Sequence, residues 1–190
     1  MNILVIQGHP DSGAPHFCHA LADAYAGAAE AAGHAVRRID IGAVPVTLLH
    51  SRAEWQAPAP DWAAEGQQAL LWADHLVLVF PLWLGGMPAR VKAWLEHVFR
   101  EDFAFKVGKN GWERHLRGKS ARVVVTMGMP APFYALWFGA HGTAQLSRSI
   151  LGFSGMRPVR ETRIGRVEGL DDAAREAWLG RMRALGAKGR

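Results

Sequence analysis

Five short apolar runs, at residues 2–7, 35–41, 75–80, 121–127 and 158–164, are separated by stretches whose apolar residues recur at helical spacing. Runs such as NILVIQ and HLVLVF are apolar almost throughout instead of alternating, the pattern of a strand covered on both faces. The intervening stretches predict helices. Residues 16–32 are alanine-rich, with Leu21, Tyr25, Ala28 and Ala32 on one face and Gly33 closing the segment. Residues 61–73 start with Asp61 in the N-cap position, and residues 88–99 open with Pro88 in the first turn. A fourth helix is predicted over residues 142–153, and a last one from Asp171 or Asp172 to about residue 185. The stretch through Pro45, Pro58 and Pro60 reads as loop, because proline denies long regular structure. This alternation predicts an α/β fold: a parallel sheet with helices on both faces, joined by right-handed crossovers. No repeat, low-complexity tract or linker interrupts it, so residues 1–190 are expected to form a single domain.

Composition removes several function classes. With 49% hydrophobic and 21% charged residues the chain is not a disordered one. Cys18 is the only cysteine, which excludes a disulfide framework and a cysteine-based zinc site and suits a reducing compartment. No apolar stretch reaches the roughly 18–20 residues of a membrane span, and the start MNILVIQG lacks the basic and small-residue regions of a signal peptide. A cytoplasmic protein with no integral membrane segment is expected. The net charge of +5 is unevenly spread: residues 100–166 carry 12 Lys or Arg against 4 Asp or Glu, whereas residues 1–99 carry 5 against 9. These basic residues are separated arginines and lysines with no nucleic-acid motif beside them. The expected partner is therefore a small anionic ligand, not a nucleic acid.

In a doubly wound sheet, ligands sit beyond the C-terminal ends of the strands. Three such ends carry unusual loops, at residues 8–18, 81–88 and 128–141. The first, GHPDSGAPHFC, runs from a strand into a helix N-terminus, where free N–H groups and the helix dipole favour phosphate. It matches neither GxGxxG nor a P-loop. His9, Ser12, His16, Phe17 and Cys18 are its candidate phosphate residues. His9, His16 and His19 lack further ligands at metal spacing, so no metal is expected. The second loop, PLWLGGMP, is apolar with two adjacent glycines. Its backbone can approach a flat ligand closely and offer amides to a ring edge. Pro81, Leu82, Trp83, Leu84 and Gly85 are the candidates there. At the third end, Thr126, Met127 and Gly128 come first, then Tyr134 beside an aromatic cluster of Phe133, Trp137 and Phe138, and then His141-Gly142.

Taken together and in this order, the three loops resemble those of the flavodoxin-like NAD(P)H:quinone reductases, the DT-diaphorase group. The GHP turn, then Pro81, Gly86, Pro88, Lys92 and Trp94, then Thr126, Gly128, Tyr134 and His141-Gly142 carry the likeness. The segment EHVFREDFAF adds Phe103 and Phe105 as candidates for a site wall. Where the family usually has Ser or Thr, two residues and Asn, this chain has Pro15-His16-Phe17-Cys18, which leaves backbone amides, Ser12 and His16 as donors. Its Trp83 stands one position earlier than the family's tryptophan.

The resemblance implies a flavodoxin-like three-layer sandwich with a five-stranded parallel sheet in the order 2-1-3-4-5. It implies FAD as cofactor, with FMN the alternative, and NAD(P)H as hydride donor. The activity it implies is ping-pong, two-electron reduction of quinones or similar flat electrophiles through flavin N5. Tyr134 and His141 are then the catalytic residues, chemically apt because a histidine titrates near neutrality and a phenol donates to a developing anion. A homodimer with the site at its interface is implied as well. Two other roles known among similar proteins stay open: an ancillary subunit of a potassium efflux system and an electron-carrier flavodoxin. A hydrolase built on Ser12 and His9 lacks a nucleophile elbow.

Overall fold

The computed structural model describes residues 1–109 and 111–190. Five parallel strands form the central sheet: β1 (Asn2–Gln7), β2 (Ala35–Asp40), β3 (His75–Pro81), β6 (Ser120–Thr126) and β7 (Val159–Ile164), in the order β2-β1-β3-β6-β7. A small antiparallel hairpin, β4 (Phe105–Gly108) with β5 (Gly111–Arg114), stands apart from it. With the hairpin left out of the count, this is the predicted order of five strands. The register is unbroken, from Ile3 opposite His75 to Gln7 opposite Val79 and from His75 opposite Ser120 to Pro81 opposite Thr126.

The apolar runs are buried on both faces, as their lack of alternation requires. Leu4, Ile6, Leu78, Phe80, Val123 and Val125 point to one side, and Ile3, Val5, Val77, Val79 and Val124 to the other. The second side is covered by α1 (Phe17–Ala31) and α7 (Asp172–Ala187), which pack against each other. The first is covered by α3 (Asp61–Trp72), α4 (Ala89–Val98) and a segment in which α6 (His141–Ala144) widens into a π-helical run, Gln145–Gly152. Burial of one large apolar side chain on either face contributes about 1.5–3 kcal/mol. Two layered cores therefore fix the sheet from both sides. Trp94 is fully buried between α4 and the sheet and is plain core.

Several local details differ from the sequence reading. Pro60 is the N-cap of α3, and Asp61 is its first residue. The proline-rich stretch contains a one-turn helix, α2 (Arg52–Gln56), capped by Ser51 accepting from the Glu54 amide at 3.1 Å. The third loop holds a short helix, α5 (Ala131–Trp137), whose proline lies in the first turn, where a missing N–H costs nothing. The helix predicted over 142–153 is mostly π-helical, a form that often marks functional sites. Among the described residues no helix is long and apolar enough to cross a membrane.

Candidate functional site

The strand order places the C-terminal ends of β1, β3 and β6 side by side, so the three unusual loops meet at one edge of the sheet.

In the first loop, His9 and His16 stack with ring centroids 3.6 Å apart, and His9 meets the Trp83 ring edge-on at 6.0 Å. His16 Nε2 lies 2.8 Å from an Asp11 carboxylate oxygen, and the other Asp11 oxygen accepts from the Gly13 amide at 2.8 Å. The His16 imidazole, followed by the Gly13 amide, holds Asp11 below the usual carboxylate range. Burial, with the like charges of His16 and His19, holds His9 below the usual histidine value despite the Asp11 carbonyl bonded to it. His16 caps α1, its own amide donating to His19 Nδ1 at 3.1 Å. His19 Nε2 is buried without a partner among the described residues. His19 lines a cavity of about 260 Å³ together with Ser12, Arg38 and Asp40. The amides of Phe17 and Cys18, at the first turn of α1, have no acceptor among the described residues. They are the orphan donors that a helix N-terminus offers an anion.

The second loop is a tight turn. Trp83 and Gly86 exchange hydrogen bonds of 2.9 and 3.0 Å, and between them Leu84 (φ 47°) and Gly85 (φ 78°) are both left-handed. Two successive left-handed residues make a type I′ turn, which a glycine accepts readily and a leucine only when held. The Leu84 and Gly85 amides have no acceptor among the described residues, and the Leu84 side chain is fully exposed. Leu82 is tied to the end of β6 by its amide, which donates to the Thr126 carbonyl at 2.7 Å.

The third loop closes over this turn. Tyr134, 1% exposed, donates from its hydroxyl to the Gly85 carbonyl at 2.9 Å and accepts from the Thr143 amide at 3.2 Å. Gly142 lies so close that a Cβ there would come 2.0 Å from the Gly85 oxygen and 2.7 Å from Gly86 Cα. His141 is exposed at the start of α6, with its ring against Gly139.

Some candidates point elsewhere. The side chains of Cys18 and Thr126 turn into the core, Sγ and Oγ1 lying 3.2 Å apart, and burial pushes the thiol up to about 11. Both belong to the packing between α1 and the sheet, so only the backbone of Cys18 faces the loop. Met127 is buried, its amide spent on Ile164, whereas Gly128 is exposed. Phe17 lies under the Arg175 guanidinium at 5.1 Å. Phe105 packs edge-on against Phe153 at 5.0 Å, beside the end of the π-helical run. Among the described residues no set of three or more His, Cys, Asp or Glu is placed to hold a metal ion.

Two contributors escaped sequence reasoning. Asp11 attracts no notice as a lone acid in a loop, though its position between His9 and His16 is visible. Thr143 acts through its backbone amide, which no residue pattern reports.

Trp83, Leu84, Phe133, Leu136, Trp137 and Phe138 are large apolar side chains exposed around these loops. Single exposed apolar residues are ordinary, but a clustered set marks a binding or association surface.

The chain is similar in sequence and in fold to known proteins. A Haemophilus influenzae protein named "Uncharacterized NAD(P)H oxidoreductase" is 27% identical over 185 residues, covering 94% of this chain and 91% of that protein. An FMN-dependent NADH:quinone oxidoreductase 2 from Pseudomonas fluorescens is 31% identical over 139 residues, covering 67% and 68% of the two chains. The structure of an NAD(P)H:quinone oxidoreductase from Methanothermobacter marburgensis superposes with a TM-score of 0.84 over 100% of this chain and 99% of that one, at 21% identity, a likeness of fold. The family description Flavodoxin-like fold matches residues 1–185, and the chain belongs to that flavodoxin-like family, Flavodoxin_2.

Proposed function

We propose that this chain is an FMN-dependent NAD(P)H:quinone oxidoreductase working by a ping-pong, two-electron route. The observation that carries the reading is the set of four free backbone donors at neighbouring strand ends. Phe17 and Cys18 offer theirs at the mouth of α1, and Leu84 and Gly85 offer theirs in the turn after β3. The first pair suits a phosphate, and the second suits the electron-rich edge of a flat heterocycle. An apolar, aromatic surface borders both. The donor set therefore fits a flavin mononucleotide. FMN replaces the FAD expected from the sequence, because the relative matched over two thirds of its length is named FMN-dependent.

A bound flavin would supply the redox chemistry, two-electron hydride transfer between nicotinamide and acceptor, at N5 in our reading. The rest is the work of this chain. The α1 N-terminus binds phosphate, aided by Ser12, His9 and His16 at its rim. The turn amides of Leu84 and Gly85 orient the ring and favour the state carrying more negative charge. Trp83, Phe133, Trp137 and Phe138 give a flat substrate such as a quinone an apolar wall and exclude water. His141, exposed at the edge of that wall, exchanges the proton that accompanies reduction of the quinone. The clustered apolar side chains around the loops then also serve a homodimer interface with the site beside it.

The deciding experiment is the visible spectrum of the purified protein before and after incubation with FMN and with FAD, followed by assay of NADH- and NADPH-driven menadione reduction. A yellow protein that reduces menadione is expected. A colourless protein that takes up neither flavin overturns the reading.

A further inference from the structure

Tyr134 is the centre of a buried chain of polar contacts that runs from the sheet edge to the turn after β3. Its hydroxyl donates to the Gly85 carbonyl and accepts from the Thr143 amide. Thr143, 0% exposed, donates from Oγ1 to the Ala140 carbonyl at 3.1 Å and accepts from Arg163 Nη2 at 3.4 Å. Arg163 grips the Glu161 carboxylate through Nε at 2.9 Å and through Nη2. Ser147 Oγ, in the π-helical run, lies between that carboxylate and the Thr143 carbonyl, 2.9 Å from the latter. Hydrogen bonds from Ser147 and Arg163, with the arginine's charge, keep Glu161 below the usual carboxylate range against the pull of burial.

The turn needs such a brace. Leu84 is left-handed yet fully exposed, so no side-chain packing holds it there. Space around Gly85 and Gly86 is open where side chains would be. Beyond the two bonds exchanged by Trp83 and Gly86, the turn is fixed by backbone contact with Gly142 and by the Tyr134 hydroxyl.

We infer that Tyr134 is a positioning residue: its hydroxyl pins the Gly85–Gly86 peptide, which sets the direction of the Leu84 and Gly85 amides, and Thr143, Arg163, Glu161 and Ser147 brace it from β7 and the π-helical run. The hydroxyl's proton is committed to the Gly85 carbonyl, and lending it to a substrate would break the bond that holds this peptide. The inference rests on the flavin reading above, since the amides it positions are those assigned to the ring. Proton exchange then falls to exposed groups such as His141.

The test uses the full chain loaded with FMN, with Tyr134→Phe and Glu161→Gln as variants. Readouts are FMN affinity by fluorescence quenching, the visible spectrum, the flavin midpoint potential and the pH profile of kcat. Tyr134→Phe is expected to weaken FMN about three- to tenfold, the worth of one buried hydrogen bond, to shift the spectrum and to lower the potential, leaving the limbs of the pH profile in place. Glu161→Gln, isosteric and remote from the ring, is expected to move the same quantities in the same direction by less. A Tyr134→Phe protein with unchanged affinity, spectrum and potential overturns the inference, and one that also loses a limb of the pH profile makes Tyr134 a proton donor instead. If Tyr134→Phe does not fold, Glu161→Gln decides alone, and flavin properties identical to wild type overturn the brace. Wild-type protein that binds no flavin fails earlier, at the functional reading itself.

Discussion

Replacing Gly142 by alanine is the sharpest probe of the turn. The added Cβ would sit 2.0 Å from the Gly85 oxygen, whereas carbon–oxygen contacts in packed proteins stay beyond 3 Å. Either α6 or the turn must move by about 1 Å, and overpacking of this kind costs about 1–3 kcal/mol. The backbone of α6 is anchored by Thr143 and the π-helical run behind it, while the turn projects into open space. The turn is therefore the part that yields, taking the Leu84 and Gly85 amides with it. A 1 Å misplacement of positioning groups can cost about a hundredfold in rate. Gly142→Ala should thus show a large fall in NADH-driven menadione reduction and weaker FMN binding, with a melting temperature lowered by only about 2–12 °C for a chain of this size. Gly27→Ala is the control: it lies in α1 with nothing within 4 Å of its would-be Cβ, and alanine there should stabilise the helix by about 0.5–1 kcal/mol. Wild-type FMN affinity and turnover in Gly142→Ala would refute the reasoning, because the contact would then carry no positional information.

Three further outcomes are expected. His75, 1% exposed with Nδ1 2.7 Å from Ser120 Oγ, is held down to about 4 by burial and by Arg122 and Arg160. The unfolded chain protonates it first, so stability is unaffected above about pH 6.5, drops by about 2 kcal/mol between pH 7 and pH 5, and keeps falling to pH 4. Urea titrations of wild type and His75→Asn should show that slope in the wild type alone, with the smaller contributions of His9 and His97 common to both. His141→Ala should cut kcat about a hundredfold or more, within the usual range for a lost general acid–base group, and leave FMN affinity unchanged; a wild-type pH profile in that variant would remove the assignment. Light scattering should give twice the chain's 20.8 kDa. Trp137→Glu, at a side chain 76% exposed, should halve that mass, and a wild-type monomer would end the proposal of an interface there.

The sheet was legible because its strands are buried on both faces. Val77, Leu78, Val79 and Phe80 each need an apolar neighbour whichever way they point, and an uninterrupted run of such residues has few other homes. The hairpin β4–β5 lacked that signal. Its residues are mostly exposed, Lys106, Glu113 and Arg114 are charged, no apolar run marks either strand, and the pairing is made by the backbone. Helix α5 hid behind Pro130 and Pro132, which read as breakers although proline is tolerated in a first turn. The widening of α6 into a π-helix could not be read from side-chain periodicity, since it is a change of hydrogen-bond partner within an amphipathic segment. At the site, the three loops were legible because glycine, proline and histidine mark these strand ends, and the strand order sets the ends side by side. The directions of Cys18, Thr126 and Tyr134 were not, because a residue's identity does not say which way a loop turns it.

That difference matters for a first loop that lacks the Ser/Thr-x-x-Asn pattern in a chain that keeps the flavodoxin-like fold. Donors that belong to the main chain survive a change of side chain, provided the path of the backbone survives. Pro15 and Cys18 stand where the resemblance expects the side-chain donors, yet the first turn of α1 still presents the Phe17 and Cys18 amides, and His16 still ends the loop by bonding Asp11. The constraint passes from residues that touch a ligand to residues that set the path. Gly85 must be left-handed, Gly142 must be bare, and Tyr134 must reach the Gly85 carbonyl. Substitutions at these three positions should therefore damage flavin binding more than Ser12→Ala, whose hydroxyl only adds to a donor set that the backbone already supplies. If Ser12→Ala were the most damaging of the four, the anion would be held by side chains, and the main-chain account of this site would fail.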